Sequence, residues 1–199
     1  MNSIFHAGVS KNDLLAHLLS RQSHWPLQLP VPSDEDLHLA FEVAMRAPDH
    51  ANQRPWRFIV VRKDAQANLG EVFAHAAIKR GATDDGARSR SQALAAPLII
   101  AVGVAVSDHA QVPAVEQIVA TGAAAMNLLN AIHILGFAAY WASGDNAYDP
   151  DVASALGLKG AKDRLLGFIY VGSQVKRKPP KARPTSDDFV TYWETPFTS

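Results

Sequence analysis

A chain of 199 residues, 48% hydrophobic and 19% charged, is long enough for one globular domain with a real core, and its composition excludes intrinsic disorder. The formal net charge of zero excludes attraction of the whole surface to nucleic acid or to an anionic membrane. Because the chain has no cysteine, disulfides, thiolate nucleophiles and cysteine-based metal sites are excluded as well.

The sequence predicts neither a targeting peptide nor a membrane span. Its first ten residues lack a basic region followed by an apolar run, so we expect no signal peptide, and the absence of cysteine is compatible with a cytoplasmic location. The most apolar stretch, residues 112–135, is interrupted by polar side chains, which favours a buried helix: Glu116, Gln117, Asn127, Asn130 and His133.

The first third of the chain predicts two helices and a strand. Residues 12–20 have helical spacing, with four leucines on one face. Ser33, followed by acidic residues, is a helix N-cap, and this second helix should end near Arg46 because Pro48 disfavours helical geometry in the residue before it. The β-branched run 57–61 predicts a strand that is covered on both faces.

The middle of the chain predicts two longer helices around a buried strand. Residues 65–80 should be helical, and the polar segment 81–91 has no clear period, so we expect a mobile surface segment there. The continuous apolar run 98–104 predicts a buried strand. The longest helix should cover 113–135, with Pro113 in its first turn and Gly136 at its stop.

The last third predicts two more strands, a short helix and a tail. Residues 137–141 and 165–171 are apolar strand candidates, and Asp149-Pro150 should begin a helix that ends at Gly157. The tail 176–184 is basic and rich in proline, and 189–193 could form a terminal strand on an edge of this chain or of a partner. Helices and strands alternate without a repeat or an internal linker, which indicates a single mixed α+β or α/β domain over residues 1–199.

Several common catalytic motifs are missing from the sequence. There is no G-x-G-x-x-G after a strand, no P-loop, no G-x-S-x-G and no H-E-x-x-H. The acid–histidine pairs Asp49-His50 and Asp108-His109 are adjacent in sequence, and adjacent residues do not converge on a metal by themselves. We therefore expect no metal site.

The most informative segment is the loop from Arg46 to Phe58, which leaves a helix and enters a strand. It carries Arg46, His50, Gln53 and Arg54, all of which can donate hydrogen bonds. A planar heterocycle with carbonyls and ring nitrogens is bound by such donors on a rigid support. Composition alone leaves the alternative of a solvated loop whose arginines face water.

This loop resembles the nitroreductase family, in the minimal branch that carries R-A-P-D-H followed by P-W-x-F. Further segments agree, and together they run roughly from Leu14 to Gly172: Arg21-Gln22-Ser23, Pro113, Glu116-Gln117, residues 122–127, residues 136–144 and residues 167–172. The resemblance implies an α+β fold, an α/β/α sandwich with a central, mostly antiparallel sheet and helices on both faces. It also implies a homodimer.

The resemblance implies an FMN site and its residues. Arg21 and Ser23 would hold the phosphate and ribityl chain, and Gln22, which replaces a second arginine of the family, would contact the flavin. Arg46 and His50 would reach the FMN of the other subunit. The flavin-contacting turn would be Trp141, Ala142 and Ser143, with only backbone contact at Ala142. An NAD(P)H-binding stretch would comprise Ala131, Ile132, His133, Ile134, Leu135 and Gly136.

Each of these assignments has an ordinary structural alternative. Arg21 could simply complement a helix C-terminus, Trp141 could belong to the core, and the apolar members of the 131–136 stretch could be helix core. One basic residue of the tail could approach the phosphate, although such a run is more often solvated: Lys176, Arg177, Lys178, Lys181 and Arg183.

The implied activity is that of an FMN-dependent oxidoreductase. It would take hydride from NAD(P)H and reduce nitroaromatics, quinones or similar small acceptors by a ping-pong mechanism, with no side chain required as an acid or base. The alternatives are another flavin-dependent enzyme on this fold, such as a dehydrogenase or dehalogenase, an FMN-binding protein without turnover, and an interaction module without flavin.

Overall fold

The chain folds into helices on both sides of one sheet. A computed structural model describes residues 10–108, 111–176, 178–179 and 181–193. The helices are α1 (Lys11–Ser20), α2 (Asp34–Ala44), α3 (Lys63–Lys79), α4 (Ala87–Gln92), α5 (Ala114–Ile134), α6 (Gly144–Ala147) and α7 (Pro150–Ala155). The strands are β1 (Leu27–Gln28), β2 (Trp56–Arg62), β3 (Leu98–Val104), β4 (Ala138–Ala142) and β5 (Arg164–Gln174), and 3₁₀ turns lie at His50–Asn52 and Ser186–Asp188.

The sheet is antiparallel in all its described pairs. Strand β5 lies between β3 and β4, β2 pairs with the outer side of β3, and β1 pairs with the last two residues of β5. Every residue of β3 is buried, as the continuous apolar run 98–104 predicts. The register between β3 and β5 shifts between Val102 and Gly103, which is a bulge in the centre of the sheet.

The two faces of the sheet are covered by different helices. Helices α2 and α5 pack on one face, where Leu128 of α5 lies among Ile100 and Ile169. Helices α3 and α7 pack on the other, where the rings of Phe73 and Phe168 meet edge to face with centroids 5.0 Å apart. Full burial of such side chains stabilises the fold by about 1.5–3 kcal/mol each. The predicted α/β/α sandwich with an antiparallel sheet is confirmed.

Local capping signals set several of the boundaries. The Ser33 side chain accepts a hydrogen bond from the Asp36 backbone N–H, and the Asp36 carboxylate accepts one from the Ser33 backbone N–H, so α2 begins with a capping box. The Asp149 carboxylate accepts from two backbone N–H groups and begins α7. Helix α5 ends before Gly136, whose φ of +86° is the left-handed conformation that favours glycine.

Two expectations from the sequence, for residues 81–91 and for strand β2, differ from the structure. Residues 81–91 are not wholly irregular, since α4 begins at Ala87 and packs on α3. Strand β2 is an edge strand with mostly half-buried side chains. The helix predicted over residues 12–20 is confirmed as α1, and its four leucines are exposed. Residues 189–193 form no strand within the described chain, so their pairing with an edge of a partner stays a prediction. Arg177 and His109 lie outside the described residues. None of the described helices is long and apolar enough to cross a membrane.

Candidate functional site

Residues 21–25 leave α1 as an extended segment along the edge of the sheet. Arg21 has extended backbone angles, and the His24 N–H donates to the Ala139 carbonyl at 3.1 Å. Because side chains alternate along extended chain, Gln22 and His24 face the protein and are buried, whereas Arg21 is half-buried and Ser23 exposed. The segment therefore presents Arg21, Ser23 and Trp25 on its outer side.

The buried Gln22 amide attaches the C-terminal arm, by which we mean the described residues from 175 to 193. Its Nε2 donates to the carbonyls of Pro179 at 3.2 Å and Lys178 at 3.5 Å, and its Oε1 accepts from the Lys181 N–H at 3.1 Å. The Lys178 ammonium adds a hydrogen bond to the Trp25 carbonyl. Gln22 therefore holds the arm against the segment 21–25.

The arm brings basic side chains to Arg21. Burial and the positive charge of Arg183 lower the pKa of Arg21. Burial, followed by the charges of His133, Lys178, Arg21 and Lys181, lowers the pKa of His24, so this imidazole is neutral near pH 7. Arg21 forms no ion pair with any described residue. Positive charges without acidic partners favour binding of an anion, and a guanidinium suits a phosphate because it donates two parallel hydrogen bonds.

An aromatic cavity of about 210 Å³ lies at the other end of the same segment. The Trp25 ring centroid is 5.7 Å from those of both Tyr140 and Tyr170, and the walls continue to Phe73 and Phe168. Burial raises the pKa of Tyr170 to about 12, so its hydroxyl stays protonated. Such walls suit a flat aromatic ligand, and Trp25 is the residue that links the cavity to the cationic segment.

The polar side of the cavity comes from three elements. Ala142 and Ser143 enter it from the end of β4, and the amides of Gln92 and Asn146 line it from α4 and α6. Trp141, the neighbour of Ala142, points to the opposite face of the sheet and donates its Nε1–H to the Leu166 carbonyl at 3.2 Å. The ordinary core interpretation of Trp141 is therefore favoured over a cofactor wall.

The loop 46–55 is a strained and pinned segment away from the cavity. Ala51, Asn52 and Arg54 have φ values of +54°, +52° and +48°, a conformation that non-glycine residues adopt at a cost. The Asp49 carboxylate accepts from the Arg54 N–H at 2.7 Å, and Gln53 Oε1 accepts from the Ser107 hydroxyl at 2.6 Å. These bonds stabilise a conformation that the backbone would not adopt alone.

The exposed side chains of this loop lie beside the start of α5. His50 Nδ1 is 2.7 Å from Glu116 Oε2, and Arg46 is exposed. No residue of the loop lines the aromatic cavity of its own chain. Arg46 and His50 are thus not brought together with Arg21 and Ser143 within one chain.

The stretch 131–136 divides into buried and accessible residues. Ala131 and Ile132 are buried in the core, whereas Ile134 and Gly136 are exposed, and His133 and Leu135 are half-buried. Ser20 donates its hydroxyl hydrogen to the His17 carbonyl at 2.8 Å, so at 2.9 Å it accepts from His133 Nε2–H. Burial lowers the pKa of His133, which agrees with a neutral ring of that tautomer.

Another concave surface, an open groove of about 550 Å³, is larger than the aromatic cavity. It is bordered by Leu29, Leu94 and Arg62, and Arg62 is paired with Asp34. Because its arginine is already neutralised and its walls include no aromatic ring, we regard the aromatic cavity as the better ligand site despite its smaller volume. Among the described residues, no group of three or more histidine and acidic side chains could hold a metal ion.

Sequence reasoning missed most of the cavity. Trp25 could have been found, because it continues the outward alternation of Arg21 and Ser23. Gln92, Asn146 and Tyr170 carry no local signal, since they come from separate elements that only the fold brings together.

Comparison with known proteins gives consistent results. The model of the nitroreductase family matches residues 18–173. The Escherichia coli K12 protein YdjA, provisionally named an NAD(P)H nitroreductase, is 33% identical over 91% of this chain and 100% of its own length. A nitroreductase-like protein from Bacillus cereus has a TM-score of 0.79 at 21% identity, covering 95% of this chain and 100% of that one. A protein from Desulfovibrio desulfuricans, provisionally named a nitroreductase and solved in complex with FMN, has a TM-score of 0.68 at 27% identity, covering 95% of this chain and 100% of that one.

Proposed function

Because the chain belongs to the nitroreductase family, we propose that it is a flavin-dependent oxidoreductase that binds FMN along the segment from Arg21 to Trp25. The observation that carries the proposal is the placement of an unpaired cationic cluster at one end of this segment and an aromatic cavity at the other. A mononucleotide with a phosphate and a flat ring matches both ends. The FMN-bound relative from Desulfovibrio desulfuricans supports the choice of cofactor.

The phosphate would be bound by Arg21, with Ser23 contributing its exposed hydroxyl to the phosphate or ribityl chain. Arg183 is the arm residue whose charge acts directly on Arg21, so we assign it as the second cation. We assign Gln22 a different role from the flavin contact that the family resemblance implies, because its amide is already bonded to the arm backbone. It would position the arm and leave the phosphate to Arg21 and Arg183.

The flat ring would occupy the aromatic cavity, with the backbone of Ala142 and Ser143 along its edge. The volume of about 210 Å³ is small for a whole cofactor site, which would be completed at its open side by a second copy of the chain. In that arrangement Arg46 and His50 would act on the FMN of the partner subunit. The accessible residues of the 131–136 stretch, His133 to Gly136, remain the proposed contact for NAD(P)H.

FMN would supply the redox chemistry by accepting hydride from NAD(P)H and passing electrons to a nitroaromatic, a quinone or a similar acceptor. The chain's own residues would bind and orient the ring, exclude water from its inner face and donate hydrogen bonds to its edge. Donor and acceptor would use the same open side in turn. No described side chain is required as an acid or base.

The cofactor is tested by titrating purified protein with FMN and following quenching of flavin fluorescence. We expect saturable binding at low micromolar concentration and release of FMN on heating. A protein that leaves FMN fluorescence unchanged would contradict the proposal. Binding without oxidation of NAD(P)H in the presence of acceptors would instead indicate an FMN-binding protein without turnover.

The shared open side is tested by steady-state kinetics with NAD(P)H and a quinone or nitroarene varied together. We expect parallel double-reciprocal lines, together with flavin bleaching by NAD(P)H alone and recovery on addition of the acceptor. Intersecting lines would mean that both substrates bind at once. A loss of turnover by about 10⁴-fold in His50→Ala with FMN still bound would make His50 a general acid.

We further propose that the chain forms a homodimer through α5, α1 and the arm. Val119 of α5 is 64% exposed, Leu19 of α1 is 83% exposed and Trp193 of the arm is 82% exposed. Large apolar side chains exposed on these elements are the kind of surface that an interface would cover, and obligate dimers typically bury more than about 2,000 Å². We treat residues 1–10 and 176–199 as extensions of a single domain.

Association is tested by sedimentation of the FMN-loaded protein. Val119→Lys should weaken the dimer, whereas Ile78→Lys, a change of another exposed apolar residue on α3, should not. A wild-type protein that sediments as a folded monomer at low micromolar concentration would contradict the dimer.

A further inference from the structure

A chain of polar side chains leads from a helix N-cap into the aromatic cavity. Asp149, the N-cap of α7, is paired with the Arg80 guanidinium at the end of α3. Arg80 Nη2 donates to Asn146 Oδ1 at 2.8 Å, and Asn146 Nδ2 donates to Gln92 Oε1 at 3.0 Å. Asn146 is buried and Gln92 lines the cavity, so the series ends where a ligand would bind.

The direction of every hydrogen bond in this series follows from the charge at its start. A guanidinium has donors only, so Asn146 must present its oxygen to Arg80 and its NH₂ group to Gln92. Gln92 must then accept through Oε1, which leaves its own NH₂ group as the free end. Gln92 Nε2 donates to no other residue that the structure describes. The series thus leaves the NH₂ group of Gln92, an exposed residue that lines the cavity, as an available hydrogen-bond donor.

We propose that Gln92 Nε2 donates to a carbonyl oxygen of the flat heterocycle in the cavity, and that Asn146, Arg80 and Asp149 orient it for this. The inference rests on the proposed function and deepens it. In FMN the pyrimidine ring carries the two carbonyl oxygens and the dimethylbenzene ring carries none. The pyrimidine end is therefore the one that meets Gln92, and the ribityl chain runs back past Trp25 to Arg21.

A donor at this position would affect the two redox states of the ring differently. Reduction adds negative charge to the pyrimidine ring, and a hydrogen bond to a charged acceptor is stronger than one to a neutral acceptor. Gln92 would therefore stabilise the reduced ring more than the oxidised ring and raise the midpoint potential of the bound cofactor. Asn146 is a positioning residue, because its oxygen is bonded to Arg80 and its NH₂ group to Gln92, so it would act through Gln92.

The direct test replaces the donor. Gln92→Met should weaken binding of oxidised FMN about 3- to 10-fold in a fluorescence titration, as for one lost hydrogen bond to a neutral acceptor, and should lower the midpoint potential. Gln92→Glu, which puts a carboxylate in place of the donor, should lower the potential further. Gln28→Met is the matched control, because Gln28 lines the separate open groove, and it should change neither quantity.

The orienting series gives a second and sharper test. In Asn146→Asp the new carboxylate can still accept from Arg80 but cannot donate to Gln92. The Gln92 amide should then rotate so that its NH₂ group faces the carboxylate and its oxygen faces the cavity. Asn146→Asp should reproduce the lower FMN affinity and potential of Gln92→Met, and adding Asn146→Asp to Gln92→Met should cause no further loss. Thermal unfolding of each apoprotein distinguishes this effect from general loss of stability.

The outcomes separate this inference from the proposed function. A wild-type protein that binds no FMN overturns the proposed function and this inference with it. A wild-type protein that binds FMN while the affinity and potential of Gln92→Met are unchanged overturns only the role of Gln92. Additive losses in the double variant overturn the orienting role of Asn146, and the predicted lack of additivity supports the whole series.

Discussion

Replacing Gly167 with alanine is expected to damage both the sheet and the turn that follows β4. Gly167 lies in β5 with a φ of +133°. A Cβ atom there would be 2.5 Å from the Ala142 carbonyl oxygen, 2.6 Å from Trp141 Nε1 and 3.1 Å from Trp141 Cδ1. The end of β4, which carries Ala142 and Ser143 to the cavity, therefore occupies the space that a side chain at position 167 would need.

Two separate costs contribute to the expected loss of stability. The backbone conformation is unfavourable for alanine by about 1–3 kcal/mol. The close contacts add overpacking of about 1–3 kcal/mol, because the nearest atom is a backbone carbonyl in a paired strand and cannot rotate away. The sum of about 2–6 kcal/mol is a large part of the total stability of a typical domain, which is about 5–15 kcal/mol.

The two costs can be separated with a second glycine. Gly81 has a φ of +96° and no atom within 4 Å of a Cβ placed on it, so Gly81→Ala carries the backbone cost alone. Urea unfolding should show a larger loss for Gly167→Ala than for Gly81→Ala. FMN titration should show weaker binding only in Gly167→Ala, because only this change displaces the Ala142–Ser143 backbone. Equal losses of stability in the two variants, with equal FMN affinity, would refute this reasoning.

Three further predictions concern the segment 21–25. Arg21→Ala should weaken FMN binding by roughly 1.5–3 kcal/mol, and Arg21→Lys should recover only part of this, because an ammonium lacks the planar two-point contact. An unchanged affinity of Arg21→Ala in a fluorescence titration would mean that the phosphate binds elsewhere. Gln22→Ala should release the arm, because it removes the hydrogen bonds that hold the arm backbone. Limited trypsin digestion should then cut at Lys181 much sooner than in the wild type, and FMN should bind more weakly. An unchanged rate of cleavage would contradict the anchoring role. His24 has a lowered pKa in the folded state, so below about pH 6.5 the unfolded state binds more protons, and the free energy of unfolding should decrease as the pH is lowered. In urea unfolding, His24→Gln should make this decrease smaller, and an unchanged dependence on pH would contradict the prediction.

The sequence predicts the ends of helices wherever interactions between residues close in sequence determine them. Ser33, Asp149 and Gly136 act within a few residues, through hydrogen bonds to a helix end or through a left-handed backbone. The buried strand β3 can also be predicted from the sequence, because a strand that lies between two neighbouring strands and two helical layers is a continuous apolar run. These features could be predicted before the fold was known.

The missed features depend on distant parts of the chain. Helix α4 has no apolar period that could predict it. It is held against α3 by the Arg90–Glu71 ion pair and by the close approach of Gly86, and not by a buried apolar stripe of its own. Strand β2 has the composition of a covered strand but lies at an edge. The exposed aromatic residues of the arm have the pattern of a strand, but within the described chain they pair with no other strand.

Side chains alternate between the inner and outer side of the segment from Arg21 to Trp25, and this alternation couples the proposed phosphate site to the proposed ring site. Its inward residues, Gln22 and His24, bind the arm and β4, and its outward residues would bind the ligand. Any movement of the arm thus shifts Arg183 relative to Arg21, while Lys178 transmits the same movement to the backbone of Trp25 at the cavity. A ligand that binds both ends stabilises the arm, and a partner subunit that covers the exposed end of the arm would stabilise the ligand site. By linkage, cofactor binding and association should therefore strengthen each other in this chain.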